Sequence, residues 1–295
     1  MTVGDRLEMK FGFIGAGRVG CSLGKYLKES DTVWKLFGYY SRSIQSAEEA
    51  ADFTQSMVYT HLPSLVRDCE VLLVTTPDHA IASVWEQVCS CGECLSDKII
   101  VHCSGSMAST VFEGAKEHGI TAASLHPFYA VADRYHSYPA LKDALFTLEG
   151  SGERLEELDH SLRVAGLTIQ KIQAQSKTRY HAAASVASNL MVGLTELAVD
   201  LLCECGFDRE HARMALRPLM QGNLDAIMEK DTVGALTGPA ERGDVRTVDR
   251  HLRELGGDDR EIYRLLTKKI VKIAKVKNPE RDYAQLEELL TQIDL

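Results

Sequence analysis

Along the first half of the chain, short apolar runs alternate with stretches whose apolar residues recur every three or four positions. The runs "KFGFIG" (10–15), "WKLFGYY" (34–40), "VLLVTT" (71–76), "KIIVHC" (98–103), "ITAASLH" (120–126), "ALFTLEG" (144–150) and "LTIQKI" (167–172) predict strands. Several lack polar alternation, as strands buried on both faces of a parallel sheet do. Residues 44–53, 79–90, 109–118 and 153–165 carry helical spacing, so the series reads as βαβ units. After about residue 174 the pattern becomes helical throughout. "KTRYHAAASVASNLMVGLTELAVDLLCECG" (177–206) reads as one long Pro-free helix ending at Gly206, with further helices over 208–229, 244–255, 258–276 and 280–293. The expectation is an α/β domain over 1–174, with a mostly parallel, doubly wound sheet, and an all-α domain over 175–295. Between Leu190 and Leu202 the long helix is apolar around much of its circumference. One short domain cannot bury all of it, which predicts a homodimer.

The first strand runs directly into "GFIGAGRVG", which holds the GxGxxG pattern Gly15-Ala16-Gly17-Arg18-Val19-Gly20. The first glycine permits a tight turn, the second lets the backbone approach a pyrophosphate, and the third allows close helix–strand packing. The N–H groups and dipole of the helix that follows then favour phosphate. Near the start of a βαβ unit this signature predicts a Rossmann-type dinucleotide site. An NAD-binding protein places Asp or Glu at the end of the second strand, on the ribose 2′-hydroxyl. This chain has Ser41, Arg42 and Ser43 there. Two hydroxyls and a guanidinium suit a 2′-phosphate, so NADP is expected over NAD, the plainer alternative being a solvated polar turn.

Further chemistry gathers at strand ends. Pro77 of "VTTPDHAI" closes its strand, leaving Thr75, Thr76 and Pro77 to line the nicotinamide half of the cofactor, with Asp78 equally able to cap the next helix. "VHCSGS" and "SLHPFYAV" place Ser104 and His126 at the same sheet edge. An imidazole there can exchange the proton that accompanies hydride transfer, and a serine can hold the reacting atom. Lys177 and His181 fall on one stripe of the long helix with Ser188, and Asn189 lies on its flank paired with Ser185. That stripe is expected to line an interdomain cleft and to hold a substrate acid group, a solvated helix start being the alternative.

Composition narrows the classes. The 295 residues allow two domains with sizeable cores. A formal net charge of −9 and a pI near 5.6 exclude a general nucleic-acid binder. No uncharged apolar run reaches the roughly 18 residues of a membrane span, and the N-terminus lacks a signal-peptide core. The eight cysteines are irregularly spaced, which suits reduced thiols in the cytoplasm. Cys89, Cys91 and Cys94, with Cys203 and Cys205, do not match zinc-site spacing, so no metal is expected.

Taken together, "GFIGAGRVG", "YYSRS", "VTTPDHAI", "VHCSGS", "LHPF", "YHAAASVASN" and "LTGPAERGDVRTVDRHL" resemble the Rossmann-like proteins with a DUF2520 domain. That group is similar to the wider 6-phosphogluconate-dehydrogenase-like superfamily, with its ketopantoate reductases, prephenate dehydrogenases and F420-dependent NADP reductases. The resemblance implies a nucleotide domain followed by a helical dimerisation domain. It likens Ser104 and His126 to the catalytic pair of prephenate dehydrogenases, and Lys177 to the helix lysine of ketopantoate reductases. His181 departs from those enzymes, which carry Asn there. Two function classes follow. One is an NADP-dependent oxidoreductase acting on a small carbonyl, imine or hydroxy acid; the other is a non-catalytic NADP sensor. The polar set favours the enzyme, because a sensor needs none of it.

Overall fold

The structure, a computed structural model, describes residues 8–30, 32–93 and 95–291, so Cys94 falls outside it. The chain divides into two compact units between Ala187 and Ser188. The division falls beyond the 174/175 boundary expected from the change of period, because the helix opened by Lys177 stays with the first unit.

In the first unit the chain runs β1 (Met9–Ile14), α1 (Arg18–Glu29), β2 (Trp34–Tyr40), α2 (Ile44–Thr54), β3 (Met57–Tyr59), α3 (Leu62–Asp68), β4 (Val71–Val74) and α4 (Asp78–Cys89). It continues β5 (Ile99–His102), β6 (Thr121–Pro127), β7 (Leu145–Ser151), α5 (Leu155–Val164), β8 (Thr168–Lys171) and α6 (Lys177–Ala187). The strands form one eight-stranded sheet in the order β3-β2-β1-β4-β5-β6-β7-β8, parallel except where β7 runs against β6. All four residues of β4 and of β5 are buried, as their uninterrupted apolar runs require. On one face Phe11, Phe13 and Tyr39 meet Leu23 and Leu27 of α1 and Leu158 and Leu162 of α5. On the other, Leu72, Val74 and Ile100 meet Leu65 of α3 and Ile81 and Trp85 of α4.

Register decides what lies at the carboxyl edge. Ile14, Val74, His102 and Ser124 form one continuous rung across β1, β4, β5 and β6. Two residues further on, the next side chains with the same facing are Ala16, Thr76, Ser104 and His126. With neighbouring strands about 4.8 Å apart, three steps carry that row some 14 Å across the edge.

Two expected elements differ. Residues 109–118 form only a single turn of 3-10 helix, Ser109–Val111, followed by turns. The Ser109 hydroxyl is captured by the buried carboxylate of Glu149, 2.9 Å away on β7, and Gly114 adopts φ +75°. The long helix over 177–206 breaks at Ser188 (φ −124°, ψ −80°), giving α6 and then α7 (Asn189–Glu204). Between β6 and β7, the segment after Pro127 is stapled down by Arg134. Its guanidinium donates to Cys21 Sγ (3.1 Å), Glu49 Oε2 (2.5 Å) and the Ser46 carbonyl (2.6 Å).

The second unit is helical: α7, α8 (Arg209–Ala235), α9 (Pro239–Arg242), α10 (Val245–Glu254), α11 (Gly257–Lys277) and α12 (Ala284–Thr291). Asp244 caps α10, its Oδ1 accepting from the Thr247 amide at 3.0 Å. A small core forms from Ala240, Val248, Leu252, Val271, Ala274, Tyr283, Leu286 and Leu290. Within α7 and α8, Val199 and Ala212 are the buried residues, whereas Leu190, Val192, Met214, Leu219 and Met228 are exposed. A stretch within Ala174–Glu204 is long and apolar enough to cross a membrane by composition alone. The break at Ser188 cuts it into segments of 11 and 16 residues, each short of the roughly 20 a span needs.

Candidate active site

Gly15 sits at φ +110°, a conformation that strains any other residue, and a Cβ on it would come 2.8 Å from the Thr75 backbone. At Gly20 an added Cβ would meet Thr75 Oγ1 at 2.6 Å. Thr75 is therefore the latch of the loop: its hydroxyl donates to the Gly15 carbonyl at 2.9 Å. The loop opens into α1, whose first-turn amides have no intrahelical acceptor and face any anion placed there.

Beside this loop lies a cavity of about 310 Å³. It is lined by Ile14, Gly15, Ala16 and Gly17, by Tyr40, Ser41, Arg42 and Ser46 at the end of β2 and start of α2, and by Thr75, Thr76 and Pro77 after β4. Leu62, Ala80, Ser83, Val84 and Gln87 complete it. No Asp or Glu is among these residues. The Thr76 hydroxyl is buried there with no hydrogen-bond partner among the described residues, a polar atom left for a ligand to satisfy. The cavity thus fits a dinucleotide, with its phosphates on the glycine loop and a 2′-phosphate near Ser41, Arg42 and Ser46.

Not every expected residue lines it. The Ser43 hydroxyl accepts from the Ser46 amide at 3.3 Å and caps α2 instead, while Ser46 one turn later takes the lining position. Arg18 and Val19 begin α1 next to the loop and are not among the lining side chains.

Where the row of side chains reaches β5 and β6, a second polar group forms. Ser104 Oγ donates to Asp78 Oδ2 (2.7 Å) and accepts from the amides of Ser106 (3.2 Å) and Met107 (3.1 Å). Ser106 Oγ donates to the same Asp78 oxygen at 2.8 Å. Asp78 lies in the first turn of α4, where the helix dipole favours a carboxylate. Lys177 is 1% exposed, and its ammonium donates to the Ser104 carbonyl and to Ser124 Oγ, both at 2.8 Å. Burial lowers its pKa, against the pull of Glu149, Cys103 and Asp78. Among the described residues no carboxylate is in ion-pair contact with this cation; the Tyr180 ring, its centroid 5.6 Å away, lies against it as well.

His126 meets Tyr180 in the same place, Nδ1 lying 2.7 Å from the tyrosine hydroxyl. Burial, then the charges of Lys177 and His181, push the His126 pKa down to about 4, so the ring is neutral at physiological pH. The His181 ring, on an exposed residue, stands 6.4 Å from that of His126. A Cβ added to Gly105 would lie 2.7 Å from both His126 Nε2 and His181 Cδ2. The bare glycine keeps these two ring edges facing a shared space.

The structure therefore joins Ser104, His126, Lys177 and His181, and adds Asp78 and Tyr180, which sequence reasoning did not place in the site. Two roles change with the geometry. Ser104 Oγ has its donor and acceptors committed, and Lys177 is sealed against Ser104 and Ser124, so neither polar group is presented to a ligand. Asn189, expected on the flank of the same helix, follows the break and belongs to the second unit, where its Oδ1 accepts from Ser188 Oγ at 3.1 Å.

A family model described as a Rossmann-like domain matches residues 4–127, and one described as a domain of unknown function, DUF2520, matches residues 144–270. The chain thus carries a Rossmann-like domain followed by a DUF2520 domain. No curated protein sequence matches it. Among solved structures it is similar to a protein from Thermotoga maritima, TM1727, at 26% identity and a TM-score of 0.72, covering 90% of this chain and 99% of that one. A protein from Bacteroides fragilis, BF3122, provisionally named an NADP oxidoreductase, shares 23% identity at a TM-score of 0.67, with 91% and 100% covered. An imine reductase from Myxococcus stipitatus in complex with NADP⁺ shares 16% identity at a TM-score of 0.61, with 96% and 100% covered. The last two likenesses show the fold alone.

Proposed function

We propose that this protein is an NADP(H)-dependent oxidoreductase acting on a small carbonyl, imine or hydroxy-acid substrate. The observation that carries the reading is the carboxylate-free cavity, with the glycine loop at one side and Ser41, Arg42 and Ser46 at the ribose end. The NADP-linked names of the Bacteroides fragilis and Myxococcus stipitatus proteins support the same cofactor and a reductase activity. When bound, the cofactor supplies or accepts the hydride. The chain's own work is then to hold the substrate and to move one proton, and His126 is the group placed for the proton. Asp78, Ser104 and Lys177 keep the strand ends and the Gly105 turn in shape. His181, exposed beside His126, is the residue left to meet a substrate acid group. Asn189 carries no role here.

The exposed apolar side chains of α7 and α8 support a homodimer formed through the helical unit, because a lone copy leaves them in water. The free thiols of the described cysteines suit a reducing, cytoplasmic setting.

Fluorescence titration tests the central claim. NADPH should bind at least about tenfold more tightly than NADH, or ~1.4 kcal/mol, and Arg42→Ala should erase most of that margin. Equal affinities in the parent protein would overturn the NADP reading.

A further inference from the structure

We propose that Tyr180 is the positioning residue of the proton-transfer step: it fixes His126 as the Nε2–H tautomer and protonates Nδ1 as Nε2 gives up its proton. The inference rests on the oxidoreductase reading above and deepens it. It begins from the 2.7 Å contact between Tyr180 Oη and His126 Nδ1. His126 lies near the end of β6, in register with Thr147 of β7, and Tyr180 lies in the first turn of α6, one residue short of a full turn from buried Lys177.

Which atom donates follows from acidity. A phenol is a far stronger acid than a neutral imidazole N–H, and an imidazole nitrogen is a far stronger base than a phenol oxygen. The tyrosine hydroxyl therefore donates, Nδ1 accepts, and the ring's one hydrogen sits on Nε2. That nitrogen has no hydrogen-bond partner among the described residues. It faces the space beside Gly105 that a side chain there would fill.

The relay answers a difficulty in the site. A buried, largely neutral histidine is a poor acid alone, because losing Nε2–H would leave an imidazolate. The step balances with Tyr180. As the substrate carbon takes up hydride, the π electrons of its C=O or C=N bond take the proton from His126 Nε2. The Nε2–H bond breaks and the Tyr180 O–H proton moves to Nδ1; Nε2 then takes a proton from solvent (hydronium, or water with release of hydroxide) and the Nδ1 proton returns to the tyrosinate, restoring the starting pair. The charge that forms on Tyr180 lies beside the Lys177 ammonium, which has no carboxylate in ion-pair contact among the described residues. The groups facing the pair are Lys177 and His181 from α6, Asp78 from the start of α4, His102 from β5, and the Phe128 ring after β6. Only Asp78 among them is anionic, and its Oδ2 is already taken by Ser104 and Ser106.

The deciding measurement needs no substrate. In protein labelled with ¹⁵N-histidine, NMR should read His126 as the Nε2–H tautomer between about pH 5 and 8. In Tyr180→Phe that preference should be lost and the titration midpoint should move. An Nδ1–H tautomer in the parent, or a tautomer and midpoint unchanged in Y180F, would overturn the proposal. Kinetics then test its catalytic consequence with NADPH and 1-pyrroline, a small cyclic imine. Y180F should lower kcat about 10²-fold at pH 7, leave KM for NADPH within about twofold, and recover as pH falls toward 4. There the ring is protonated and gives its proton without help. A uniform loss at every pH points to mere misfolding of the site and counts against the relay. Failure of NADPH to bind the parent protein sinks the oxidoreductase reading instead, whatever the NMR shows.

Discussion

The two units bury their apolar side chains to very different degrees. The sheet of the first is covered on both faces: Phe11, Phe13, Leu72, Leu73 and Phe146 are each 2% exposed or less. In α7 and α8 of the second, residues of the same kind stand in water, Val192 at 69% and Met228 at 75%. The difference is one of self-sufficiency. A parallel sheet with helices on both faces completes its core within one chain. The buried core of the helical unit comes from α9 to α12 with Tyr283 just before α12, and a single copy leaves the large apolar side chains of α7 and α8 exposed.

Three measurements can break or sharpen that contrast. The largest effect should come from the sheet. Phe146→Ala removes a fully buried ring and should cost about 3–5 kcal/mol in denaturant unfolding; a loss below about 1 kcal/mol would mean the core is not packed as drawn. Acid should come next and should act on the first unit. His102 and His126 both have folded pKa values pushed down to about 4, chiefly by burial, against an ordinary 6.5. Between these values the unfolded chain binds protons that the folded one refuses, so stability is full above about pH 6.5 and is lost as pH falls toward 4. For fully buried His102 alone that amounts to roughly 2–4 kcal/mol, and His102→Gln should flatten the slope. Equal acid sensitivity in that variant would show that other groups carry it. The smallest effect on intrinsic stability should come from Val192→Asp or Leu219→Asp. Each should change unfolding by no more than about 0.5 kcal/mol at concentrations where the protein is monomeric, yet abolish dimer in light scattering at micromolar protein. If either destabilises the monomer as Phe146→Ala does, the helical unit buries more of its own surface than this comparison allows.

How far the sequence could be read follows the same physics. Seven strands were visible because a run such as "VLLV" buried on both faces leaves no polar residue to obscure it. β3 escaped notice since it spans three residues, two of them exposed, and α3 since seven residues with a proline near their start show too little periodicity. The 109–118 stretch has helical spacing, but its period cannot register that Glu149, forty residues away, binds Ser109. The candidate site divides similarly. The glycine loop, Ser104 and His126 were legible because strand ends in an open α/β sheet have a known place. Asp78 and Tyr180 were not, since their roles depend on partners 26 and 54 residues distant. A helical stripe does not distinguish a buried ammonium from an exposed one, so the sequence presents Lys177, 1% exposed, as a ligand anchor.

The Arg134 staple has a mechanical consequence. The chain leaving His126 and Pro127 cannot swing outward without unpicking three bonds to α1 and α2, one of them to the carbonyl of Ser46. Ser46 is also part of the wall where the cavity would receive the far end of a dinucleotide. A single guanidinium thus yokes the segment that follows His126 to the helix that carries Ser46. Strain or slack introduced at either place is carried to the other along a rigid strut only one side chain long.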